Sequence, residues 1–119
     1  MVFIKEISGL SKAMQEAAIE ELLDSPKGHH EIEHSDAFIL QASTTHAQPI
    51  RVDDIHVESF KVGPNKVTGT FRYFASGKQQ ENKPDHGRGL YGLGDFTIEA
   101  ESIRVTNLSA SINFAAEDD

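Results

Sequence analysis

Between Ile50 and Phe74 the chain carries two strand-like runs separated by Gly63-Pro64-Asn65-Lys66, and this pair restricts the fold more than any other stretch. In Val67-Thr68-Gly69-Thr70-Phe71-Arg72-Tyr73, the apolar Val67, Phe71 and Tyr73 share one side with Gly69 between them, while Thr68, Thr70 and Arg72 share the other. A two-residue period of this kind belongs to a strand with one buried face and one wet face. Pro64 sets one backbone angle of the intervening turn, and Asn65 tolerates the left-handed conformation that a tight reversal often needs. The near run is β-branched at Ile50, Val52, Ile55 and Val57, but its phase slips between Val52 and Ile55 and again before Phe60. Bulges or short breaks are therefore expected at Asp53-Asp54 and Glu58-Ser59.

Upstream the period changes. From Leu10 to Leu23, Met14, Ala18 and Leu22 fall four apart with Ala17 beside them, and Glu16, Glu20 and Glu21 fall mostly on other faces. This is the pattern of an amphipathic helix, with Ser11 as its N-cap and Met14, Ala18 and Leu22 as its inward stripe. Phe3, Ile4 and Ile7 make a short apolar start that suits an edge strand or the lead-in to a helix. Asp24-Ser25-Pro26-Lys27-Gly28 ends the first helix and reads two ways. Gly28 could follow a helix C-terminus, or Ser25-Pro26 could cap and open a second short helix. Ala37-Phe38-Ile39-Leu40 has the form of a buried strand.

Ser76 to Gly94 is polar and rich in glycine, and is expected to be a long irregular loop of the kind that is functional or disordered. Phe96, Ile98 and Ala100 resume the alternation, and Leu108, Ala110, Ile112 and Phe114 form a further strand. The sum is a single α+β domain over 1–119, an N-terminal helix packed on a largely antiparallel sheet of about five strands.

Composition narrows the function. The chain has 119 residues, enough for a core without disulfide or metal support, and it contains no cysteine. Nineteen acidic against eleven basic residues leave a net charge of −8. That balance argues against direct nucleic-acid binding, and it suits simple solubility or a basic partner surface. No apolar run approaches the roughly 20 residues of a membrane span, and Met1 to Glu6 lack a signal-peptide pattern. The expectation is a cytoplasmic protein with no membrane association.

Three motifs could carry chemistry. His30-Glu31-Ile32-Glu33-His34 matches the zinc-protease pattern H-E-x-x-H, which needs both histidines on one helical face about 6 Å apart, with Glu31 activating a metal-bound water. On a strand the same pair would lie roughly 13 Å apart. Gly28 and the short span before Ala37 leave little room for a supporting helix. Glu33 puts a charge where such proteases usually carry none, and no third ligand stands at a recognisable spacing. Gly87-Arg88-Gly89-Leu90-Tyr91-Gly92 matches G-x-G-x-x-G, but a dinucleotide site must follow a strand and open a helix. Here the glycines follow a polar stretch and lead into the strand-like Asp95-Phe96-Thr97-Ile98. Asp53, Asp54, Glu58 and Lys61 resemble the acids and lysine of metal-dependent nucleases. The E-x-x-K spacing of Glu58 and Lys61, however, places them on opposite faces of a regular strand.

Two functional expectations follow. One is a non-enzymatic acidic protein-binding module of the inhibitor, immunity-protein or antitoxin kind. It would use an exposed sheet face or the 76–94 loop, where Arg88 and Tyr91 are the residues best suited to grip a protein partner. This reading requires no cofactor and is compatible with a homo-oligomer. The other is a zinc-dependent hydrolase built on His30, Glu31 and His34.

Overall fold

The computed structural model describes residues 2–43, 50–77, 89–99 and 102–113. Its fold is α+β. Four short helices, α1 (Val2–Ser8), α2 (Lys12–Leu23), α3 (Pro26–Glu33) and α4 (Asp36–Ala42), precede the strands β1 (Ile50–Val62), β2 (Lys66–Gly77), β3 (Gly89–Glu99), β4 (Ser102–Thr106) and β5 (Ser111–Asn113).

Serines cut the helical layer into pieces. Ser25 accepts a hydrogen bond from the Gly28 N–H and donates to the Leu22 carbonyl; Ser35 accepts from the Phe38 N–H and donates to the Ile32 carbonyl. Each hydroxyl thus closes one helix and opens the next, and Ser11 caps α2 through the Met14 N–H. The second reading of Ser25-Pro26 is the observed one, with the proline in the first turn of α3. The same device overturns the strand expected over Ala37–Leu40, which lies in α4. Four apolar residues are too few for a period to show, and the Ser35 cap decides the outcome. Only Phe38 of that run is buried, while Ile39 and Leu40 are exposed.

On α2 the inward stripe is turned from the expected one. Ile19 and Leu23 are buried, Ala18 and Leu22 pack partly against the core, and Met14 is exposed. The packing of α1 sets this rotation: Ile4 and Ile7 are buried, and the Gln15 amide donates to the Ile7 carbonyl.

The sheet is an antiparallel meander of four strands in the order β1-β2-β3-β4. Among the described residues there is no fifth full strand. Of the run expected from Leu108, only Ser111–Asn113 pairs, as the three-residue β5, and Phe114 lies outside the described residues. Both β4 and β5 pair with β3, end to end along its outer side. The register of β1 on β2 shifts between Val52 and Asp54 and between Val57 and Ser59, the two places where the hydrophobic phase slips.

The loop expected over 76–94 is largely reassigned. Ser76 and Gly77 finish β2, Gly89 to Gly94 begin β3, and 78–88 lie outside the described residues. Glycine content hid this strand because its glycines complement aromatics on β2. On the buried face Gly69 stands opposite Phe96, Phe71 opposite Gly94, and Tyr73 opposite Gly92. A side-chain carbon on Gly94 would come within 2.9 Å of the Phe71 ring. Large and absent side chains therefore alternate across the two central strands and fill one layer.

The helices cover this face. Phe71, Tyr73, Leu90, Phe96 and Ile98 join Ile4, Ile7, Ile19, Leu23, Ile32 and Phe38 in one core cluster. Helix α3 touches both outer strands, β1 and β4, so it spans the gap between the two sheet edges.

Candidate functional site

Among the described residues no helix packs on the opposite face of the sheet. Strand register places Lys66, Thr68, Thr70, Arg72 and Phe74 of β2 there, against Glu99, Thr97, Asp95, Leu93 and Tyr91 of β3. Most of this face is polar, but one end is not. Phe74 and Tyr91 are direct cross-strand partners, and Leu93 follows Tyr91 two residues on, opposite Arg72. All three apolar side chains are exposed, Leu93 by 56%. Two aromatics, a leucine and an arginine at neighbouring register positions on this face form the composition in which interface energy concentrates. Tyr91 thus remains a candidate, now on a strand rather than a loop. Arg88 lies outside the described residues.

The polar neighbours engage one another. Arg72 Nε lies 3.0 Å from Glu58 Oε2, His56 Nε2 lies 2.9 Å from Asp54 Oδ2, and Ser76 donates to Asp53. The acids singled out on β1 are therefore spread along the strand, each with its own partner. The register shift at Glu58 also turns this residue onto the same face as Lys61, correcting the opposite-face placement of a regular strand. No group of three or more His, Cys, Asp or Glu among the described residues could hold a metal ion.

Charge separates the two sides. The sheet face carries five carboxylates (Asp53, Asp54, Glu58, Asp95, Glu99) and five cations (Arg51, Lys61, Lys66, Arg72, Arg104). Residues 2–43 hold eight acids against three lysines, a net −5. Among the described residues the excess negative charge therefore lies with the helices rather than with the sheet face.

Two helix glutamates have structural work that the sequence pattern concealed. Glu20 Oε2 accepts the Val57 N–H at 2.9 Å, and Glu33 Oε2 accepts the Val52 N–H at 2.8 Å. Each of these valines immediately precedes the extra residue of a β1 bulge, where ladder pairing is interrupted. Carboxylates thereby satisfy the edge strand's backbone and help to block further pairing along it.

His30 and His34 do share a helical face, because α3 runs through this segment despite Gly28. Glycine is required at that point: a side-chain carbon on Gly28 would collide with the Leu23 carbonyl, where α2 and α3 meet. Glu33, in the interior of the zinc-protease pattern, is committed to β1. Glu31 is half-buried beside Ser102 and Ile103 of β4, lining a cavity of about 410 Å³ together with His30. Gly89 and Gly92 of the G-x-G-x-x-G motif lie in β3, on a strand rather than at the opening of the helix that a pyrophosphate needs. Among the described residues no helix is long and apolar enough to cross a membrane.

No protein-family model, curated protein or solved structure matches this chain.

Proposed function

We propose that the protein is a non-enzymatic binding module of the inhibitor, immunity-protein or antitoxin kind, docking a protein partner on its open sheet face. The observation that carries this reading is the Phe74–Tyr91 cross-strand pair, continued by Leu93 and Arg72 on the side of the sheet opposite the described helices. Aromatic side chains anchor interfaces because they bury much area for little lost rotamer freedom, and arginine adds a planar fork of hydrogen-bond donors. The balanced charge around the patch favours a partner surface with an apolar centre and a mixed-charge rim, rather than a uniformly basic one.

The alternative, a zinc-dependent hydrolase at His30-Glu31-x-x-His34, draws support from the shared helical face of the two imidazoles. It lacks a third ligand among the described residues, and the binding reading is preferred on that ground.

The test compares baits in a pull-down from the source cell: the wild-type chain, a Tyr91→Ser/Leu93→Ser variant, and a Thr68→Ala control. A partner held by the wild type and the control but lost by the double variant supports the reading. Identical capture by all three folded baits removes the sheet face from consideration. Zinc-dependent turnover of an ester or peptide, abolished by His34→Ala, would establish the alternative.

A further inference from the structure

Helix α3 has a feature that the docking reading does not use. The rings of His30 and His34 stack with centroids 3.9 Å apart and planes inclined by 29°. His34 Nδ1 lies 3.0 Å from the His30 carbonyl oxygen. A carbonyl only accepts, so Nδ1 carries a proton, and in the neutral ring Nε2 is the nitrogen with the lone pair. An imidazole whose other N–H is held by a carbonyl is the usual outer-shell arrangement of a metal-bound histidine. Both rings border a cavity of about 350 Å³, with Pro26, His29, Glu33 and Arg51 as the other walls. The neighbouring His29 is committed elsewhere, its Nε2 lying 2.5 Å from Asp24 Oδ1.

We infer that His30 and His34 form a two-imidazole chelate for a divalent transition-metal ion such as Cu²⁺ or Ni²⁺. Metal–imidazole bonds of about 2.0–2.1 Å place two nitrogens of one coordination sphere about 3 Å apart. Rings with centroids 3.9 Å apart reach that span once rotation of these exposed side chains opens the stack and aims both lone pairs at one ion. Water fills the remaining positions. The donor set decides the ion. Nitrogen ligands favour Cu²⁺ above Ni²⁺ and Zn²⁺, whereas Mg²⁺ and Ca²⁺ require oxygen donors. Glu33 is the one carboxylate among the described residues lining that cavity and already accepts the Val52 N–H, so the cavity offers few of the oxygen donors those hard cations need. Binding across the last turn of α3 also staples the helix whose Glu33 holds β1. The inference involves no hydrolytic step and stands apart from the docking of a partner.

The test uses the full chain without a histidine tag, titrated with Cu²⁺ and with Ni²⁺ by calorimetry and followed by thermal denaturation. The expected result is one Cu²⁺ per chain held more tightly than Ni²⁺, with a melting temperature that rises with metal concentration because the ion binds the folded form. Loss of one ligand in His30→Gln or His34→Gln should weaken binding by at least about 10–100-fold, the range seen when even an outer-shell partner is removed. Both positions border solvent, and metal-free melting of each variant checks that the fold is intact. His29→Gln should bind as the wild type does, and Mg²⁺ should leave the melting temperature unchanged. Undiminished Cu²⁺ binding in the His30→Gln/His34→Gln double variant, equal loss in His29→Gln, or no Cu²⁺ binding by the folded wild type would each overturn the assignment.

Discussion

Tyr73→Phe removes one oxygen from the centre of the molecule, and its effect can be worked out from the break between β4 and β5. Across that break three residues of β3, Gly92 to Gly94, face four, Asn107 to Ala110. The extra residue is absorbed at Asn107, whose φ of 52° is left-handed, and its amide donates to Asp95 at 2.8 Å. Ser109 then pairs with Leu93 in an unusual way. Its N–H donates to the Leu93 carbonyl at 2.8 Å, but the Leu93 N–H donates to Ser109 Oγ at 2.9 Å instead of to its carbonyl. The Ser109 carbonyl so released accepts from the Tyr73 hydroxyl at 2.9 Å. The Tyr73 side chain is fully buried beside Phe38 and Phe71.

Removing that donor should destabilise the fold by about 1–2 kcal/mol near neutral pH, the lower part of the range for a deprived acceptor, because Ser109 borders solvent. Melting should fall by about 4 °C for each kcal/mol lost. High pH gives a second signature. Burial raises the Tyr73 hydroxyl above its ordinary value of 10.0. Above pH 10 the unfolded chain therefore releases this proton while the folded chain keeps it. The unfolded state then binds fewer protons, so stability falls with rising pH, by about 1.4 kcal/mol per unit. Phenylalanine has no such proton to lose. Urea denaturation of both proteins should show the wild-type advantage shrinking above pH 10 and vanishing between about pH 10.7 and 11.4, where that slope has consumed it. Equal stability at neutral pH, or a gap that stays constant up to pH 11, would refute the assignment of this hydroxyl as the donor that satisfies the break.

Gly94→Val should cost about 1–3 kcal/mol by denaturant titration, since its side chain meets the Phe71 ring and Leu108. A Phe71→Leu background should recover part of that loss; simple additivity would mean that the two positions do not share space. Glu33→Ala strips the acceptor from the Val52 N–H and should cost about 1–3 kcal/mol, whereas Glu33→Gln, whose amide oxygen still accepts, should cost less. Equal losses would assign the effect to something other than the hydrogen bond. Ser25→Ala removes the N-cap of α3 together with its bond to the Leu22 carbonyl. It should lower stability by about 1 kcal/mol or more, with reduced helical circular dichroism.

Much of the sheet was legible because strand signals are local. The alternation from Val67 to Tyr73 identified the buried face of β2, and two phase slips bracketed the bulges within Asp53-Asp54 and Glu58-Ser59. Ser11 and the four-residue spacing marked α2. Short segments were harder. Ala37–Leu40 carries too few residues to show a period, and its helical state depends on the Ser35 cap. The inward stripe of α2 was misplaced because the orientation of a weakly amphipathic helix follows from what packs beside it, here Ile4 and Ile7. Tyr91 stood out in the candidate site as an aromatic among glycines. Phe74 and Leu93 did not, since their nearness to it exists only across strands.

The amino-acid order alone settled which stretches alternate, where β1 loses phase, and which serine opens α2, because each follows from residues a few positions apart. Tertiary structure decided the rest. The Gly92–Tyr73 and Gly94–Phe71 pairings, the gathering of Phe74, Tyr91, Leu93 and Arg72, and the reach of Glu20 and Glu33 to β1 all depend on strand register and helix placement. Their physical cause is packing: a glycine becomes a strand residue only when a ring from the neighbouring strand occupies the space its missing side chain leaves.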